Sequence, residues 1–343
     1  MAATRRTVVY VIGAGFSAGL GFPTISRLVE QIWPRLISAG IADGMADIIR
    51  FHHPSFNPSR DDTFVNVERL LSEIQANEEL FDSSRPATGR FTVEQLAERR
   101  QDFLLELAGW FHELQRKALA KPPTWLSKLA KQMQNENAQI ISFNWDLILD
   151  ELLFGETLSR QNYGFTRRWA GCRLLKPHGS LNWYERSSGR HLKRTKKFLL
   201  SGEDGDAVYA FRPYRAPKSE RRIYMPLIVP PVFNKQFAGP VFQSLWREVV
   251  SVLSTASDVR FLGYSLAEAD FHARFILRCG FHNQESGQLR ADGKRSAPTG
   301  RAEVTVVDIN PEVGGRIQEL VGWPVANHAM NIEKWVRSWK DSD

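Results

Sequence analysis

Short apolar runs recur along this chain, and most stop abruptly at a glycine or a polar cluster. The first, residues 7–12 (TVVYVI), is dominated by β-branched residues and predicts a buried strand. Pro23 and Thr24 then precede Ile25, Leu28, Val29, Ile32 and Leu36, whose spacing is that of a helix. From about residue 41 to 136 the periodicity is helical throughout. Phe64, Val67, Leu70, Leu71 and Ile74 fall on one helical face, and residues 93–119 repeat the pattern over a longer span. Strand-like runs resume at residues 138–154, where a buried strand leads into a helix near Asp146. Residues 172–183 (CRLLKPHGSLNW) predict a second strand ending in a polar turn, and residues 226–235 a third, closed by Pro230 and Pro231. A helix over Val241–Leu253, a strand at 259–265 and a helix from Leu266 to about Cys279 follow. A polar linker (283–300), a final strand (303–311) and a helix over Val313–Leu320 complete the pattern.

Alternation of strands and helices predicts an α/β fold: a Rossmann-like, mostly parallel, doubly wound sheet. The expected organisation is one Rossmann-like domain from residues 1–40 and 137–343. A helical subdomain over 41–136 is inserted after the first strand–turn–helix unit. With 343 residues the chain is long enough for a sizeable core, and no apolar run reaches the ~18 residues of a membrane span. The start carries positive charge before a short apolar run, a weak imitation of a signal peptide. Because that run ends in a glycine turn, it reads as the first strand of a cytoplasmic protein.

Charge and cysteine content narrow the picture. The net charge of +7 is concentrated between residues 185 and 222, with eleven Lys and Arg against five acids. Interspersed Gly and Pro predict a loop or hairpin insertion there. The segment reads as a solvated face ahead of a patch for nucleic acid, since no nucleic-acid-binding motif accompanies it. Cys172 and Cys279 form neither a zinc framework nor a C-x-x-C pair, so no metal site is expected. They read as small buried apolar residues.

In an open parallel sheet, ligands bind beyond the carboxyl ends of the strands, and the polar clusters fall at that edge in turn. Gly13-Ala14-Gly15-Phe16-Ser17, with Gly19 one position beyond the usual dinucleotide spacing, ends the first strand. Such a turn suits close approach of phosphates, and it equally suits an ordinary strand-to-helix turn. Asn144 and Asp146 flank Trp145 at the next strand tip. Either suits a helix cap; if Asp146 caps, the Asn144 amide at the strand tip is left to orient a water or a ribose hydroxyl. His178, beside Gly179, has the loop position of a base. Gly263, Ser265 and Asp270 form a second glycine turn with a helix start, and Asp308 and Asn310 close the last strand, where they could hold a ribose or simply make the turn.

Taken in order, these motifs resemble the sirtuin family: GAG-x-S with Gly21 and Pro23, then Asn144 and Asp146, His178-Gly179, Gly263 and Ser265, and Ile309-Asn310. Departures are clear. Thr24-Ile25-Ser26-Arg27 replaces the acidic-aromatic-Arg continuation after Gly21 and Pro23, and two distant cysteines cannot build the four-cysteine zinc module of the deacylases. The chain looks more like the zinc-free bacterial sirtuin-like proteins of antiphage defence. That resemblance implies hydrolysis of NAD+ to nicotinamide and ADP-ribose, with NAD+ as substrate and no further cofactor required. It implies that Asn144 positions the water or ribose, that Asp146 orients the nicotinamide carboxamide, and that His178 binds ribose hydroxyls and acts as base. The glycine turn with Ser17 would hold the diphosphate, Ser265 and Asn310 would approach the adenosine side, and Pro23, Thr24, Gly263 and Asp308 would complete the binding residues. It further implies a homo-oligomer, or a partner subunit such as an ATPase. Alternatives are an NAD-dependent protein deacylase or ADP-ribosyltransferase, a non-catalytic NAD or ADP-ribose sensor, and a hydride-transferring dehydrogenase.

Overall fold

The computed structural model describes residues 7–80, 91–166, 169–186, 197–201, 208–211, 224–228, 240–267, 270–290 and 292–339. Six strands make the main sheet: β1 (Val8–Ile12), β2 (Gln139–Ser142), β3 (Arg173–Leu175), β8 (Asp258–Leu262), β9 (Glu303–Asp308) and β10 (Ala326–Ala329). All neighbours are parallel, in the spatial order β3-β2-β1-β8-β9-β10. Numbered within this sheet alone, that order is 3-2-1-4-5-6, the arrangement of dinucleotide-binding folds. The connection reverses direction between β1 and β8, so the crevice beyond Ile12 and Leu262 is where a ligand is expected. β1 lies at the centre, and Val9, Tyr10, Val11 and Ile12 are all fully buried. A strand covered on both faces needs such an unbroken apolar run, and each buried aliphatic side chain contributes about 1.5–3 kcal/mol.

Helices fill the connection from β1 to β2. They are α1 (Ala14–Ala18), α2 (Leu28–Ser38), α3 (Ala42–His52), α4 (Val67–Leu80), α5 (Val93–Ala120) and α6 (Thr124–Asn135). Val67, Leu70, Leu71 and Ile74 form the buried face of α4. Phe64 lies before that helix instead of on it, edge-on to Trp33 and Phe56. α5 starts at a reciprocal cap: Thr92 Oγ1 accepts from the Gln95 amide (3.3 Å) while Gln95 Oε1 accepts from the Thr92 amide (3.0 Å). α2 is tied to α5 by Arg35 and Glu113, 2.7 Å apart.

α7 (Ile148–Phe154) connects β2 to β3, and between β3 and β8 stand the strands β4 (Gly179–Arg186), β5 (Lys197–Ser201), β6 (Val208–Phe211) and β7 (Tyr224–Ile228), and α8 (Pro240–Ser254). β4 to β7 form a second, antiparallel sheet in the order β5-β6-β4-β7. Two expectations are corrected here. Residues 172–183 are not one strand: β3 ends at Leu175, the chain turns through Lys176-Pro177-His178, and β4 starts in the other sheet. Residues 226–228 belong to that antiparallel sheet and add nothing to the parallel one, while 229–235 lie outside the described residues. Most of the basic residues of 185–222 also lie outside the described residues.

The last elements are α9 (Phe271–Ser286), α10 (Glu312–Val321) and α11 (Ile332–Arg337). α9 starts five residues later than the sequence predicts and ends at Ser286, well past Cys279. Leu266 is buried with a positive φ of 52°, which no helix residue has, and the true start is capped by Asp270. β10 and α11 follow the strand expected to be last. Among the described residues no helix is long and apolar enough to cross a membrane.

Candidate active site

The two glycine turns meet at the switch point. Gly13 donates to the Leu262 carbonyl (3.2 Å) and Gly15 to that of Gly263 (2.9 Å). A Cβ on Gly13 would lie 2.5 Å from Tyr264 Cα, and one on Gly263 (φ +60°) 2.3 Å from the Phe16 nitrogen. These glycines are therefore required by the approach of β1 and β8 turns to each other, whatever they hold.

Beside the turn, the strand-tip side chains form one cluster. Ser17 Oγ donates to Asp146 Oδ2 at 2.5 Å, and Asn144 Nδ2 donates to Ser17 Oγ and the Gly13 carbonyl, each at 2.9 Å. The Gly13 carbonyl accepts only, which fixes the orientation of the Asn144 amide. The Ser17 proton and the Gly15 amide, both expected to face a phosphate, are thus used within the protein. Asp146 also accepts from the Ile148 amide (3.1 Å), so it covers the start of α7 from one position before that helix's cap, Leu147. Burial pushes the Asp146 carboxyl above its ordinary range, against the opposing pull of the Lys176 ammonium and the bonds from Ser17 and Ile148.

His178 is 3% exposed, and its Nε2 lies 3.3 Å from Asp270 Oδ2. Asp270 Oδ1 accepts from the Ala273 amide at the start of α9. A carboxylate in that position orients an imidazole and stabilises its protonated form. Phe143 meets His178 edge-on at 4.9 Å and stacks on Tyr264 at 4.6 Å, making the apolar wall.

Two adjoining cavities open here, an inner one of about 100 Å³ and an outer one of about 780 Å³. Asn144, Asp146, His178, Gly13, Ser17 and Pro23 line the inner cavity. Gly15, Phe16, Thr24, Gly263, Asp308 and Asn310 line the outer, and Ala14 and Ser265 line both. Every candidate named from sequence is at this crevice, so the fold brings them together. Asp308 and Asn310 also make the ordinary turn expected of them: Asp308 accepts from the Asn310 amide (2.9 Å) and Asn310 from that of Glu312 (3.0 Å). Sequence reasoning did not find Glu68 and Phe111, which the inserted helices add to the inner cavity, nor Asn331 and Glu333 in the outer one. Nothing in a helical repeat marks which residue at its end meets a distant loop.

Beneath the site, Lys176 is fully buried. Its Nζ donates to the Asp146 carbonyl (2.6 Å) and lies 3.2 Å from Asp150 Oδ2. Tyr163 Oη donates to Asp150 and accepts from Asn182 Nδ2 (3.0 Å). Among the described residues no cluster of three or more His, Cys, Asp or Glu could hold a metal ion.

No protein-family model and no curated protein matches this chain. Solved structures do. Sir2Tm bound to a propionylated peptide aligns over 97% of this chain and 92% of its own, at 13% identity and a TM-score of 0.42. A Sir2 structure addressing the mechanism and regulation of those enzymes covers 96% and 91%, at 13% identity and 0.43. Sir2 with a p53 peptide and NAD+ covers 97% and 91%, at 13% identity and 0.39. Superposition at this level is coarse, and the chemistry has to be read from this chain's own side chains.

Asp146 gives a pH prediction. Its folded value is raised above the unfolded 3.8, so the unfolded chain loses this proton first as pH rises. The contribution of Asp146 to stability is complete below 3.8 and is lost as pH climbs through the folded value. Asp146→Asn should remove that downward slope, read as urea midpoints across the acid range. An unchanged slope would mean that burial does not raise the Asp146 carboxyl in the folded chain.

Proposed function

We propose that this chain binds NAD+ with the nicotinamide end in the inner cavity and hydrolyses the bond between nicotinamide and ribose. The observation that carries this reading is the convergence of Asn144, Asp146 and His178 on one buried cavity at the switch point, with His178 backed by Asp270. Nicotinamide leaves as a neutral ring from a cationic one, so the bond can break without an acid on the leaving group. What remains is to hold the ribose, admit one nucleophile and take its proton. The Asn144 amide hydrogens are committed to Gly13 and Ser17, which leaves its carbonyl oxygen to accept from a ribose hydroxyl or a water. His178 takes the proton of the attacking water. Among the described residues no Lys or Arg lines either cavity, and the diphosphate meets main-chain amides and hydroxyls there. Unchecked turnover empties a cell of NAD+, the effect of a defence effector, and a homo-oligomer or ATPase-like partner would keep it silent until triggered.

A second reading keeps the same bond cleavage and replaces water with the oxygen of an acyl-lysine. One Sir2 structure above is bound to a propionylated peptide and another to an acetylated peptide, and that reading takes its substrate from them. The test is to incubate the purified full chain with NAD+, with and without an acetyl-lysine peptide, and quantify nicotinamide and ADP-ribose. Equal release of both without peptide supports hydrolysis. Release only with peptide supports deacylation. No release, with no NAD+ binding by calorimetry, overturns both.

A further inference from the structure

We propose that Glu68, on the first turn of α4, is a further catalytic residue: its carboxylate faces the nicotinamide ribose and stabilises the positive charge that forms there. This rests on the NAD+ reading above. Among the described residues five line both cavities, namely Ala14, Ile25, Glu68, Ser265 and Ala267, and Glu68 is the one of these with an ionisable side chain. If the nicotinamide lies in the inner cavity and the diphosphate and adenosine in the outer, the ribose between them spans this junction. Glu68 is 8% exposed, and its amide donates to Asn66 Oδ1 at 2.7 Å, a turn that fixes where α4 begins and hence where the side chain starts. The other two inner carboxylates have different tasks: Asp146 holds Ser17 and the Ile148 amide, and Asp270 holds His178 and the start of α9.

Position decides whether a carboxylate helps. In the ground state the positive charge of NAD+ is on the nicotinamide ring. As the bond from N1 to C1′ breaks, its electron pair goes to N1, and the charge moves to C1′ and the ring oxygen of the ribose. A water oxygen then bonds to C1′ and its proton passes to His178. A carboxylate near the nicotinamide ring would stabilise the starting state as well; one beside the ribose gains attraction as the bond breaks. Glu68 exchanges no proton. The inserted helical unit would thereby supply the charge that the sheet edge lacks at this point.

The test compares wild type with Glu68→Gln, which keeps size and removes charge, and with Glu68→Asp. Glu68→Gln should lower kcat for nicotinamide release by about 100-fold with KM little changed, and Glu68→Asp should recover part of it. A readout without turnover uses two ligands, ADP-ribose and an analogue whose terminal ribose is a cationic pyrrolidine. Wild type should favour the cation, and Glu68→Gln should lose that preference while binding ADP-ribose as before. Unchanged kcat and preference in Glu68→Gln, or equal weakening of both ligands, overturns the role of Glu68 alone. Failure of wild type to bind ADP-ribose overturns the NAD+ reading and this proposal with it.

Discussion

His178→Ala is expected to slow nicotinamide release from NAD+ by about 10²- to 10⁴-fold, the range for a positioned general base. Asn144→Ala should fall within the same range if its carbonyl oxygen orients the nucleophile. Both variants should stay folded. Without the imidazole, Asp270 still caps α9 through the Ala273 amide, so the cost is that of one lost partner for a buried group, about 1–3 kcal/mol. Asn144→Ala leaves the Gly13 carbonyl without its side-chain donor, a loss of similar size. Retained ADP-ribose binding with lost turnover separates a chemical role from a structural one. Wild-type turnover in both variants would remove the assignment, since among the described residues no other histidine lines either cavity.

The sheet was legible where burial on both faces demands an unbroken apolar run ending in a polar tip, as in Val8–Ile12, and where β-branched residues recur, as at Val304, Thr305, Val306 and Val307. It was not legible where the chain obeys other rules. β5 and β6 sit in a basic, glycine- and proline-rich stretch whose composition reads as a loop or hairpin insertion; they pair antiparallel as a hairpin does, but nothing local announced that they extend a four-stranded sheet. β10, with the sequence ANHA, is a mostly exposed edge strand without an apolar face. The polar turn at Lys176-Pro177-His178 was legible, but the strand that starts beyond it in a different sheet was not, because apolar residues continue on either side of the turn. The glycines show a deeper ambiguity. The Gly13 turn suited a phosphate and an ordinary turn alike, and Gly263 read as a second close-approach turn; the structure shows each admitting the other, a demand that selects the same residue. The polar tips were found because loops at a sheet edge advertise their chemistry locally. The pairing of His178 with Asp270, and the arrival of Glu68, depend on how distant segments pack, which no local pattern records.

Lys176→Met is expected to lower stability by about 3–5 kcal/mol, because it leaves Asp150 charged and buried without its cation. Both side chains are 1% exposed, and taking two charges from water offsets most of their attraction. The pair is therefore costly to break and of small net benefit to keep. Lys176→Met with Asp150→Leu should accordingly recover much of the loss, read as midpoints of urea unfolding. Tyr163 adjusts to this exchange because its hydroxyl, held neutral by burial, retains Asn182. Activity should not recover with stability. The Lys176 ammonium also holds the Asp146 carbonyl at 2.6 Å, two residues before His178 in the chain, and so links the loops carrying both site residues. A double variant that is stable yet slow would show that the charge is retained to position the site. One that is stable and fully active would assign Lys176 to folding alone, and a single variant as stable as wild type would mean that the buried pair does not exist in solution.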